Sequence, residues 1–78
     1  MAVSVYSTPA CVHCSRLKDY LRERRVKYQE IDVSRDERKA TEMVHKSRQQ
    51  GVPVTDFNGT IVVGFDRERI DRLIGQNH

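Results

Sequence analysis

Seventy-eight residues leave room for a single domain spanning residues 1–78, with a thin core and no separate substrate-binding domain. Hydrophobic residues at 37%, charged residues at 32% and a formal net charge of +3 describe a polar chain that still folds, which argues against disorder. No apolar run approaches the roughly 18 residues of a membrane span, and the N-terminus lacks the basic start and apolar stretch of a secretory signal, so a cytoplasmic chain with no membrane partner is expected.

Val3, Val5 and Tyr6 favour a first strand, which Ser7-Thr8-Pro9 breaks. Cys11 and Cys14 follow at C-x-x-C spacing and are the only 2 cysteines. Leu17, Tyr20 and Leu21 then recur at helical spacing as far as the charged stretch Arg22 to Arg25. Much of the basic excess gathers in Arg16, Lys18, Arg22, Arg24, Arg25 and Lys27, diluted by Asp19 and Glu23. This reads first as a solvated helix face, with attraction of an acidic protein partner as the alternative.

Tyr28 to Asp32 fits a second strand. Ser34 with Glu37 three residues later is a capping-box start for a second helix, with Ala40, Met43 and Val44 as its buried face and Gln49-Gln50-Gly51 as its end. Pro53 to Phe57 and Thr60 to Val63 read as a hairpin, because Asn58-Gly59 suits a two-residue turn with positive φ at both positions. After Gly64 and Phe65, Asp66 caps a last helix with Ile70, Leu73 and Ile74 on one face and Gly75 at its stop.

The order is therefore β-α-β-α-β-β-α. Strands joined through a helix pair in parallel and the hairpin is antiparallel, so four strands form a mixed sheet flanked by three helices. This is an α/β chain with the thioredoxin architecture, and C-x-x-C beside a βαβ pattern in a cytosolic protein points to a redox dithiol. A permanent structural staple is the weaker reading in a reducing compartment. A cysteine at a helix N-terminus meets unpaired amides and the positive end of the dipole, which favour the thiolate. Cys11 holds that place and is the expected nucleophile; Cys14, deeper in the first turn, is the expected resolving thiol. His13, His45 and His78 are further candidate ligands, but a structural zinc needs four converging donors and there is no second C-x-x-C or H-x-x-x-H, so no metal site is expected. No nucleic-acid motif or stacking platform accompanies the basic stretch, and no nucleic-acid partner is expected.

Tyr6-Ser7-Thr8-Pro9-Ala10-Cys11-Val12-His13-Cys14, then Gly51-Val52-Pro53-Val54, then Val63-Gly64-Phe65-Asp66 together resemble the glutaredoxin family, and within it the short NrdH-type redoxins, over essentially the whole chain. The resemblance implies a small dithiol thiol–disulfide oxidoreductase that reduces protein or low-molecular-weight disulfides as an electron carrier in cell redox homeostasis. It implies Cys11 and Cys14 as catalytic residues, and a substrate or glutathione site made of Thr8, Pro9, Val12, His13, Val52, Pro53, Gly64, Phe65 and Asp66. A cis Val52–Pro53 bond is implied beside the dithiol, turning the Val52 backbone outward toward an extended substrate. A monomer without a permanently bound cofactor is expected, meeting disulfide proteins or glutathione, with thioredoxin reductase and ribonucleotide reductase as the partners of the NrdH type. The alternative is a glutaredoxin-type carrier of an iron–sulfur cluster or metal, against which Cys14 speaks, because cluster-carrying members usually keep only the first cysteine.

Four positions depart from the common pattern. Val12 follows the NrdH type and His13 neither common version. Thr8 stands where a basic residue is usual, and Arg67 where a second Asp usually follows. The last two weaken the expected grip on glutathione, which leaves glutathione and thioredoxin reductase both open as electron source. His13 carries two readings, a charge that tunes the Cys11 thiolate or a solvent-facing loop residue. Asp66 also carries two, a ligand for a charged group or simply a helix cap, while Gly64 lets a ligand backbone approach closely.

Overall fold

The computed structural model describes residues 2–75, so His78 lies outside the described residues. In chain order the elements are β1 (Val3–Ser7), α1 (Val12–Glu23), β2 (Gln29–Asp32), α2 (Glu37–Ser47), β3 (Val54–Phe57), β4 (Thr60–Val63) and α3 (Arg67–Gly75). The sheet runs β2-β1-β3-β4, with β1 and β2 parallel and the other two pairs antiparallel, which is the expected mixed thioredoxin-like sheet. Among the described residues no helix is long and apolar enough to cross a membrane.

Strand alternation divides the core between the two faces of the sheet. Val3, Val5, Phe57 and Val62 pack with Leu17, Tyr20 and Leu21 of α1 and Ile70 and Ile74 of α3. Tyr6 and Val54 point the other way, onto Met43 of α2 and the half-buried Ile31, Val33, Val44, Val52 and Ile61. Ala40 and Val44 are only half-buried, so Met43 carries most of the α2 face. The buried Tyr6 ring keeps its polar tip satisfied: the hydroxyl donates to Glu42 Oε2 at 2.8 Å and accepts from Lys46 Nζ at 2.8 Å, and Lys46 also reaches Asp56 Oδ2 at 2.9 Å. Thr55, paired with Val5 and Val62, has no such partner. Its Oγ1 is buried without a hydrogen bond among the described residues, a loss on the order of 1–3 kcal/mol.

Several boundaries differ from expectation for local reasons. Tyr28 stays out of β2, its hydroxyl accepting from Arg22 Nη1 at 2.9 Å. β3 begins at Val54, since Pro53 has no N–H for the ladder. The Ser34–Glu37 capping box does not form. Ser34 gives both its amide and its hydroxyl to Asp32 Oδ1, at 2.9 and 2.6 Å, closing an Asx turn, and Asp36 caps α2 by accepting from the Lys39 amide at 3.1 Å. α2 stops at Ser47 rather than at Gln49-Gln50-Gly51, because Arg48 turns left-handed at φ 60° while its amide still reaches the Val44 carbonyl at 2.7 Å. The Asn58-Gly59 turn has φ of 51° and 103°, the two positive values that a two-residue hairpin requires.

The end of α1 closes as a Schellman motif. The Val26 amide reaches the Leu21 carbonyl at 2.8 Å and the Arg25 amide the Arg22 carbonyl at 3.0 Å. The left-handed residue in that motif is ordinarily glycine, but here it is Arg25 at φ 60°. A side chain there crowds its own carbonyl, at about 1 kcal/mol relative to glycine.

Candidate functional site

Cys11 is the N-cap of α1, with an extended backbone at φ −99° and ψ 113°, and its sulfur accepts from the Cys14 amide at 3.1 Å. The Cys11 carbonyl accepts from the Ser15 amide at 3.1 Å, which starts the helical ladder, and the Cys11 amide returns to the Thr8 carbonyl at 3.4 Å. The N-cap position, which normally caps with a side-chain oxygen, caps here with sulfur, so one otherwise orphaned amide points at Cys11 Sγ.

Cys14 begins the inward stripe of α1 that continues through Leu17, Tyr20 and Leu21. It is fully buried, whereas Cys11 is half-buried, and both are free thiols. Burial pushes the Cys14 thiol up to about 11, and the adjoining Cys11 sulfur adds to the rise. At neutral pH the inner sulfur is therefore a proton-bearing thiol.

That shift has a stability consequence of definite sign. In the unfolded chain Cys14 ionises first, so between its ordinary pKa of 9.0 and about 11 the folded state holds more protons and stability falls as pH rises. With the dithiol kept reduced, urea unfolding is expected to show a loss on the order of 2 kcal/mol across that window, beyond whatever Cys14→Ala loses. Equal losses in both proteins would mean that burial does not hold this proton.

Strand register assembles the remaining residues at one end of the sheet. Val54 pairs with Tyr6 on one side and Val63 on the other, so the chain before β3, the exit of β1 and the exit of β4 lie together. This brings Thr8, Pro9, Cys11, Val52, Pro53 and Gly64 into one neighbourhood. The Val52–Pro53 bond is cis, Pro53 is fully buried, and its carbonyl accepts from the Gly64 amide at 2.8 Å. Gly64 sits at φ 76°, a conformation that a side chain adopts only with strain. Val12, 63% exposed, and Val63, 47% exposed, leave apolar surface at this end.

The structure separates the other expected residues by role. His13 is exposed on the first turn, and among the described residues the hydrogen bond to Cys11 Sγ comes from the Cys14 amide instead. Phe65 packs into the α1–α3 junction, its ring 5.6 Å from that of Tyr20 at 57°. Asp66 caps α3, its Oδ1 accepting from the Arg69 amide at 3.2 Å. Arg67 lays its guanidinium 4.9 Å from the Tyr20 ring centroid. Arg16, Asp19, Tyr20, Glu23, Phe65 and Arg67 line an open recess of about 410 Å³ on this flank. Arg16, Tyr20 and Glu23 were absent from the expected site, although their i, i+4, i+7 spacing places them on one stripe of α1. Among the described residues no three His, Cys, Asp or Glu side chains converge as a metal site would require.

The glutaredoxin family model matches residues 3–62, a span that holds Cys11, Cys14 and Pro53 and ends before Gly64. A glutaredoxin-like 8.6 kDa protein of the rubredoxin operon of Clostridium pasteurianum is 39% identical over 72 residues, which cover 92% of this chain and 96% of that protein. Glutaredoxin from Archaeoglobus fulgidus superposes with a TM-score of 0.83 at 27% identity, covering 92% of this chain and 84% of its own. NrdH-redoxin from Escherichia coli, described as a glutaredoxin-like protein with a thioredoxin-like activity profile, gives 0.85 at 25% identity over 94% of this chain and 95% of its own. With most of its length matched in sequence and its sheet and helices matched in space, the chain belongs to the glutaredoxin family of thioredoxin-fold redox proteins.

Proposed function

We propose that the chain is a dithiol thiol–disulfide oxidoreductase in which Cys11 attacks and Cys14 resolves. The observation that carries this reading is the asymmetry of the pair: the Cys14 amide donates to a half-buried Cys11 sulfur, while the Cys14 thiol is buried and protonated behind it. Cys11 thiolate attacks one sulfur of a substrate disulfide; a Cys11–substrate S–S bond forms, the substrate S–S bond breaks, and the departing thiolate takes a proton from water. Cys14 then attacks Cys11 Sγ, its proton passing to the departing substrate sulfur. The Cys11–Cys14 bond forms, the mixed disulfide breaks, and the second substrate thiol leaves. The substrate has gained two electrons and the protein dithiol has lost them.

The residues expected around the thiols serve this cycle as a docking rim. Thr8 and Pro9 shape the approach to Cys11, and Val12 presents apolar surface beside it. The Val52 backbone next to Pro53 pairs with an extended client segment, and Gly64 keeps the approach open. A client with apolar residues flanking its disulfide fits this rim best.

The electron source is proposed to be a flavoprotein reductase of the thioredoxin type rather than glutathione. Thr8 offers no charge to a glutathione carboxylate, Arg67 is cationic where a second acid would hold the amino group, and the NrdH-redoxin relative has a thioredoxin-like activity profile. Ribonucleotide reductase is the protein client this relationship suggests. The test follows NADPH oxidation with a disulfide substrate, once with thioredoxin reductase and once with glutathione plus glutathione reductase. Faster turnover with thioredoxin reductase is expected, and faster turnover with glutathione overturns the assignment of the donor.

A further inference from the structure

At the far end of α1 from Cys11, about 18 Å along a helix of 12 residues, lies a second recess. It has a volume of about 710 Å³ and is lined by Arg22, Arg25, Val26, Lys27 and Tyr28, with no acidic residue among them. Arg22 is partly engaged, through Asp19 and the Tyr28 hydroxyl. Among the described residues Arg25 and Lys27 have no ion-pair partner. Arg25 also occupies the left-handed position of the Schellman turn, where glycine closes the same hydrogen bonds with less crowding. The turn does not need this side chain.

We propose that this recess docks an acidic segment of a partner protein, one apolar residue flanked by carboxylates. The cations form a charged rim that attracts and orients such a segment, and forked guanidinium groups meet carboxylates with two hydrogen bonds at once. The floor is the buried Val26 and the half-buried ring of Tyr28, and arginine and tyrosine over a small apolar patch is the composition of interface anchors. A bare phosphate would satisfy the rim and leave the floor uncovered. Docking here leaves the thiol end of the molecule free, and the proposal does not depend on which donor recharges the dithiol.

The test titrates the intact chain with the blocked peptide Glu-Glu-Leu-Glu-Glu while amide resonances are followed. Shifts centred on residues 25–28 are expected, weakening as salt is raised to roughly 0.3 M. Arg25→Gly and Lys27→Glu should each weaken binding by about two- to fivefold, the loss of one exposed cation. Arg25→Gly should at the same time raise the melting temperature by about 4 °C, so its lost binding cannot be put down to poor folding. Reduction of a small disulfide should be unchanged in both variants. Shifts scattered over the surface, or undiminished binding by Arg25→Gly, would overturn the proposal. So would tripolyphosphate that shifts the same amides more strongly than the peptide, which would make the recess a phosphate site.

Discussion

Cys11→Ser should lower disulfide reduction by at least about 10³-fold, whereas Cys14→Ser should still make the first attack and then stall on protein disulfides. The hydroxyl of serine is essentially un-ionised at neutral pH, so the amide donor that Cys14 aims at position 11 would have no anion to hold. With position 14 as serine, the same amide still faces the Cys11 sulfur, and the mixed disulfide forms with no internal thiol to break it. Mass spectrometry of the chain mixed with a disulfide-bonded client reads both outcomes: no adduct with Cys11→Ser, and a stable one-to-one adduct with Cys14→Ser. Adducts accumulating on Cys14 in the Cys11→Ser protein would reverse the assigned roles.

Leu17→Ala should destabilise the fold by about 3 kcal/mol, within the roughly 2–5 kcal/mol of buried leucine truncations. Leu17 is fully buried on the inward stripe of α1, one turn beyond Cys14, where it packs with β1, β4 and α3. In a chain of 78 residues such a loss is a large part of the whole stability, and the urea midpoint should fall accordingly. A second readout ties packing to chemistry. The cavity left by the truncation is walled by Val5, Val62 and Ile70 and should stay dry, so the Cys14 thiol should keep its raised value in the thiolate absorbance of a Cys11→Ser background. A Cys14 value that falls toward 9.0 would mean that the Leu17 side chain itself shields the thiol from water.

The fold was largely legible in the residues because its signals were local and of different kinds. Helical spacing at Leu17, Tyr20 and Leu21, an Asn-Gly turn and a C-x-x-C spacing each stand on a few adjacent positions. The failures came where local signals competed. Ser34 and Asp36 both suit an N-cap, and only the folded chain shows that Asp32 already holds the Ser34 amide and hydroxyl. The Tyr6–Glu42–Lys46–Asp56 cluster contains single bonds that span as much as 40 residues, from Tyr6 to Lys46, and nothing in the spacing of those residues announces it. Cys11, Cys14, Pro53 and Gly64 could be named from motifs, but their shared neighbourhood follows from the register of β1, β3 and β4. Arg25 read as one more cation on a helix face, because its left-handed backbone is a property of how α1 ends.

The adjoining Cys11 and Cys14 sulfurs also make the redox couple a thermodynamic gauge of the fold. Reduced and oxidised, folded and unfolded define a closed square of four states, so the stability gained or lost on forming a Cys11–Cys14 bond must equal the difference in reduction potential between the folded and unfolded chains. For two electrons, about 30 mV on one side of the square corresponds to about 1.4 kcal/mol on the other. A substitution around Leu17 or Val5 that stabilises one redox form over the other thus moves the potential by a calculable amount without touching either sulfur.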